Sequence, residues 1–238
     1  MKSKKIKLIT VVILLGIVIA ACAPDVRLEN PPVERTTQAA QNIDTPRVPT
    51  WAEGLDLSSD EVFSVSFHVD WPGYRSIEAL AASAERYIAR VEVLDERVAL
   101  INDSLSGRPD YNINTVHRLR VLEVFKGNTQ AGEIIEVRQL GGQLNNLEVI
   151  NLDFVPLTIG EELVVFLSGV TQEDFPELDW SSIRPAVVMN PWQGIYRMPA
   201  AREGDMAALS DDTVLESLHP DNNLVLTLGD LQRIAQAN

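Results

Sequence analysis

Cysteine is almost missing from this chain of 238 residues: Cys22 is the single thiol. One cysteine excludes an intrachain disulfide framework, a thiolate zinc site and, outside its own neighbourhood, thiol catalysis. Basic charge is scarce too. Lys and Arg total 20 against 34 Asp and Glu, a formal net charge of −14, and four of the lysines (Lys2, Lys4, Lys5, Lys7) crowd the first seven residues. Beyond them Lys126 and the arginines are scattered without a polybasic run. That excludes a nucleic-acid partner, whose phosphates need clustered cations. Histidine occurs three times, as His68, His117 and His219, never at the spacing of a helical metal-ligand pair. Ser104, Ser106 and Ser168 lack the glycines of a nucleophile elbow, and no His-Glu zinc-protease signature occurs. No internal repeat is visible. The sequence therefore predicts neither a catalytic residue nor a cofactor, and assigns no metal ligand.

What is present begins at the N-terminus. The four lysines form a basic n-region, Leu8 to Ile19 an apolar run of twelve residues, and Ile19-Ala20-Ala21-Cys22 a lipobox. Twelve residues fall short of the roughly 20 that a permanent membrane helix needs. Small Ala20 and Ala21 give a signal peptidase access to the backbone, and the Cys22 thiol is the nucleophile that accepts a diacylglyceryl group. Residues 1–21 thus resemble a bacterial lipoprotein signal peptide. The resemblance implies that Cys22 is the lipidation site, carries palmitate-like chains and holds the protein on the extracytoplasmic face of the cell membrane. Two or more acyl chains anchor firmly where one binds marginally, at about 0.8 kcal/mol per buried methylene. Loss of the leader removes four lysines and no acid, leaving sixteen cations against 34 acids, a net charge of −18. Ala23 follows the cysteine, so the aspartate that favours inner-membrane retention is missing.

Residues 22–60 read as the acylated cysteine and a flexible tether: Pro24, Pro31, Pro32, Pro46 and Pro49 interrupt polar sequence without apolar periodicity. Such a coil spans on the order of 35 Å. Trp51 and Leu55 are where the chain is expected to dock on the fold. Residues 61–238 read as a single β-rich domain, long enough for one core without disulfides.

Val62 to Val69 alternates as a strand, broken by Trp71-Pro72-Gly73. Ser76 predicts a helix cap before Ile77 to about Arg86, and Tyr87, Ala89, Val91 and Val93 then recur at period two. After the turn-rich Ser106 to Asp110, a long strand is expected from Asn114 to Phe125, with a phase slip at Leu122-Glu123-Val124 that marks a β-bulge. Ile135 and Val137 predict a strand ending at a Gly141-Gly142 turn; no Lys-Ser/Thr pair follows to make it a phosphate loop. Leu163 to Leu167 is apolar throughout, as a strand buried on both faces would be. Short strands are expected at Val187–Met189 and Ile195–Met198, and Thr227 caps a last helix. Without a βαβ rhythm, the fold class is mainly β with minor α: a small OB-like barrel or sandwich with one or two peripheral helices.

Val121 to Gly127, Gly132-Glu133, Gly141-Gly142, Gly160 to Leu167 and Gln193 to Arg197 resemble a group of uncharacterised exported bacterial proteins. That resemblance covers about residues 75 to 200. It implies a five-stranded oligonucleotide/oligosaccharide-binding-type barrel, akin in shape to the netrin-like modules of metalloproteinase inhibitors. Inhibition does not transfer: those inhibitors bind zinc through a free N-terminal cysteine amine and carbonyl, whereas Cys22 would be acylated and far from the barrel.

Candidate chemistry is sparse. The histidines are expected to be hydrogen-bonded strand or loop residues, a folded three-histidine site being the alternative. The acidic run Glu173, Asp174, Glu177 and Asp179 offers hard oxygen ligands but lacks the ordered loop of a calcium hand, and reads as a solvated loop; Asp211, Asp212 and Asp221 read alike. Trp180 and Trp192, near arginines such as Arg184 and Arg197, either form a sugar- or peptide-binding face or cap the core. The expected function is a lipid-anchored extracytoplasmic binding lipoprotein with a protein, peptide or glycan ligand. The alternative is an envelope hydrolase that uses a metal or carboxylates. Paired carboxylates carry little weight here because acids are abundant.

Overall fold

A computed structural model describes residues 48–54, 61–71, 73–102, 104, 110–169, 185–199 and 209–237. Cys22 and its leader, most of the tether, Leu55, residues 106–109, the acidic run 173–179, Trp180 and Arg184 lie outside the described residues.

The elements run β1 (Phe63–Phe67), α1 (Ile77–Ser83), β2 (Tyr87–Asn102), β3 (Tyr111–Lys126), β4 (Ile134–Leu140), β5 (Gly142–Leu144), β6 (Leu147–Asn151), β7 (Glu162–Ser168), β8 (Ala186–Val188), β9 (Ile195–Arg197), β10 (Val214–Ser217), β11 (Leu226–Thr227) and α2 (Leu228–Gln236). Strands β7, β2, β3, β4 and β8 follow one another around a ring that β7 and β8 close by pairing. All its pairs are antiparallel except β4 with β8. Numbered within the barrel, the order is 1-2-3-5-4 with strands 3 and 5 parallel, the arrangement of an OB-type barrel. The protein is thus mainly β, with a closed five-stranded barrel and two helices.

The apolar run in β7 has the reason anticipated for it. Leu163, Val165 and Leu167 point into the barrel with Ala89, Val91, Leu119 and Val121. Val164 and Phe166 point the other way, into a second cluster with Leu80 of α1, Leu231 of α2 and Tyr196. Both helices start where a side chain caps them. Ser76 Oγ accepts from Ala79 N–H at 3.2 Å, and Thr227 with Asp230 forms a reciprocal capping box. Helix α1 stops earlier than its pattern predicts, because Ala84 leaves helical geometry and Arg86 N–H already donates to Leu167 O at 3.1 Å, joining the sheet edge.

Strands β2 and β3, sixteen residues each, outrun the barrel. Their far ends carry a small sheet, β1-β6-β5, over a third cluster that includes Ala52, Ile113, Leu147 and Val149. Trp51 docks here, its ring stacked on Phe63 at 6.4 Å. The strands β5, β6, β10 and β11 are elements the sequence reading did not predict. The phase slip expected at Leu122 is real: register shifts fall between Ile88 and Ala89 and between Arg90 and Val91, where β3 supplies the extra residue. A third shift, between Val93 and Asp95, places Leu94 as a bulge in β2. Among the described residues no helix is long and apolar enough to cross a membrane.

Candidate functional site at the barrel mouth

On β3 the residues Thr115, His117, Leu119 and Val121 share one face, and Leu119 and Val121 belong to the barrel interior. His117 therefore forms the polar layer that ends the barrel core. Gln139 does the same on β4, two residues beyond the buried Val137. On β2 the Leu94 bulge decides which acid joins them. Val93 pairs with Leu119, but Asp95 pairs with Arg118 and Glu96 with His117. Without the extra residue, Asp95 would stand opposite His117. The bulge instead sends Asp95 outward to Arg118, at 2.8 Å, and brings Glu96 to the mouth.

These groups line an open cavity of 260 Å³ together with Gly141, Gly142, Val149, Asn151, Phe154 and Pro156. The double glycine does not make the turn expected of it: it carries the chain from β4 into β5 with a one-residue break, the turn falling at Asn145-Asn146, and it permits a close approach. Gly142 has φ 126°, and a Cβ there would lie 2.8 Å from Thr115 Oγ1. Thr115 Oγ1 donates to Gly141 O at 2.9 Å. On the opposite wall Phe154 packs edge-on against Trp71, with centroids 6.2 Å apart.

His117 is 1% exposed. Its Nε2 lies 3.1 Å from Gln139 Oε1; its Nδ1 lies 3.4 Å from Glu96 Oε2 but makes no hydrogen bond. Burial pushes the imidazole below its ordinary 6.5, outweighing the opposing pull of Gln139 and Glu96. The native state thus resists the proton that the unfolded chain accepts. Stability is full above about pH 6.5 and falls as pH drops from there through the lowered native value. Denaturant melts from pH 7.5 to 5 are expected to show this fall at up to about 1.4 kcal/mol per pH unit. The slope should shrink in His117→Gln, and an equal slope in both proteins would remove His117 as its source.

The other two histidines lie elsewhere. His68, with its side chain 71% exposed, holds Nδ1 3.1 Å from the buried Asp153 carboxylate, which also accepts from Val69 N–H at 2.6 Å. Burial alone would raise Asp153; the bonds from Val69 N–H and His68 more than offset it and hold the carboxyl below its usual range. His219 stacks on Trp192 at 5.6 Å. No three His, Cys, Asp or Glu side chains among the described residues converge as a metal cluster. Trp192 is half-buried, and its stacking partner is a histidine; Arg197 is engaged with Glu161 and Glu216. Asp211 and Asp212 sit in a turn before β10, and Asp221 N–H donates to His219 Nδ1.

The outer face of β2, β3 and β4 is a ladder of ion pairs: Arg120 with Glu92, Arg118 with Asp95 and Arg97 with Glu136. In OB barrels the second and third strands form the oligonucleotide face. Here Arg118 and Arg120 of that face are paired with neighbouring acids.

Glu96, Gln139, Asn151 and Asp153 were missed in the sequence. A signal existed for one of them: Asp95-Glu96 are adjacent acids in a strand that must bury alternate residues, so one of the pair has to face inward.

The fold and the site together define an OB-like barrel with an acidic, partly apolar cavity at its mouth. Comparison of the chain with protein-family models, with curated proteins and with solved structures finds no match in any of the three.

Proposed function

We propose that this chain is a lipid-anchored extracytoplasmic lipoprotein that binds its ligand, a protein, peptide or glycan, at the barrel mouth. One observation carries the location of the site. The cavity presents two buried polar atoms without partners, His117 Nδ1 and Asn151 Nδ2, beside the apolar Val149, Phe154 and Pro156. Unpaired buried polar atoms cost about 1–3 kcal/mol each, a cost that a ligand with matching groups removes. The mouths of β-barrels are common ligand sites. The N-terminal pattern through Cys22 supports the anchor, and the proline-rich stretch after it supports a barrel that stands clear of the headgroups.

Photo-crosslinking tests the location. A crosslinking residue in place of Ile150, which lines the cavity, is expected to capture a discrete adduct from envelope extracts. The same residue in place of Glu92, on the ion-paired outer face, should not. Equal labelling from both positions would remove the mouth as the binding site.

A further inference from the structure

Gln139, the nearer and hydrogen-bonded neighbour, fixes the tautomer of His117. Gln139 donates its amide nitrogen to Val155 O at 3.3 Å, so its carbonyl oxygen is the atom beside His117 Nε2, and that oxygen only accepts. The imidazole proton therefore sits on Nε2, and Nδ1 keeps a bare lone pair. That lone pair is enclosed, and Glu96 Oε2 is 3.4 Å away. Two acceptors face each other with no hydrogen between them, an arrangement that a shared donor relieves. Asn151, 8% exposed, has the opposite need. Its Oδ1 accepts from Asp153 N–H at 3.1 Å, which leaves Nδ2 as a buried donor without an acceptor.

Resting on the mouth as the binding site, we propose that it takes the N-terminal residue of a peptide. His117 Nδ1 and the Glu96 carboxylate accept from its ammonium, and Asn151 Nδ2 donates to the adjacent carbonyl. An ammonium brings three hydrogens and a positive charge, enough for both acceptors at once. A sugar hydroxyl brings one hydrogen and serves only one of them. An alkylamine satisfies the acceptors but leaves Asn151 unmatched. A carboxylate or phosphate would meet Glu96 with no compensating cation, since no Lys or Arg lines the cavity. The volume of 260 Å³ lies below the roughly 300–1,000 Å³ of sites for drug-sized ligands, so it suits one small residue rather than a long segment. Val149, Phe154 and Pro156 offer that residue an apolar wall. The acidic chain as a whole attracts cationic groups.

The test uses the full chain in detergent with histidine ring nitrogens labelled, titrated with four probes: alanyl-alanine amide, its N-acetyl form, propylamine and N-acetylglucosamine. Alanyl-alanine amide is expected to shift the His117 Nδ1 resonance and to saturate. The N-acetyl form and propylamine should each bind at least about ten-fold more weakly, a difference of about 1.4 kcal/mol. Glu96→Gln alters a half-exposed side chain and should keep the native melting temperature while weakening alanyl-alanine amide by a similar factor. Tighter binding of N-acetylglucosamine, or equal binding of the acetylated peptide, would overturn the ammonium assignment. So would the absence of any shift with all four probes. If position 150 still captures an adduct in that case, only the ligand chemistry fails; if it does not, the mouth fails as a site as well.

Discussion

Phe166→Ala is expected to destabilise the protein by about 3–5 kcal/mol, the usual cost of emptying a large buried aromatic site. Phe166 is fully buried on the outward face of β7, under the helices, and meets Tyr196 edge-on with centroids 6.1 Å apart. The loss removes apolar burial and leaves a cavity between strand and helices, where a closed barrel cannot collapse to fill it. Against a total stability of about 5–15 kcal/mol, that is a large fraction. Equilibrium denaturation should show a lower midpoint at an unchanged slope, with the melting temperature down on the order of 10 °C. Phe63→Ala supplies the contrast: Phe63 is 44% exposed, and its removal should cost well under half as much. A shift below about 1 kcal/mol for Phe166→Ala would mean that the helices and β7 do not share one cooperative core.

Replacing Cys22 with serine should have the largest effect on where the protein goes. A serine hydroxyl is a far weaker nucleophile than a thiolate, so acyl transfer and the cleavage that follows it should stop. Metabolic labelling with a fatty-acid analogue should fall to background, unprocessed precursor should accumulate, and the protein should leave the lipidated membrane fraction. Folding should be unaffected, because the described core begins only at Val48, far along the chain from the substitution. Normal processing and unchanged labelling in Cys22→Ser would remove the lipoprotein assignment, and with it the proposed location of the barrel.

The strands that were legible in the sequence are those whose burial is simple. Leu163 to Leu167 could only be a strand covered on both sides, and Ser76 and Thr227 are helix caps by residue type. Strands β8 and β9, three residues each, were legible because the turn-rich Asn190 to Gly194 sets them apart, whereas β5, β10 and β11 mix polar with apolar residues over two to four positions and show neither run nor period. β6 also hides its pattern: Leu147, Val149 and Asn151 face inward, and the third of these is polar. The site was illegible for a related reason. His117 and Gln139 sit where apolar residues are expected, on the inner face of strands that otherwise read as core. The Glu96 position depends on a bulge at Leu94, whose only trace in the sequence is the pair of adjacent acids, Asp95-Glu96, that follows it.

That bulge has a further consequence for the whole strand. Up to Val93 the odd-numbered residues of β2 fill the barrel; beyond it Val98 and Leu100, even-numbered, pack beneath the small sheet. Leu94 therefore acts as a splice between two reading frames of side chains, and the cavity lies at the splice. Its identity matters less than its existence: many residues can occupy position 94, but deleting it would turn the barrel or the small sheet inside out and exchange the acid that faces His117.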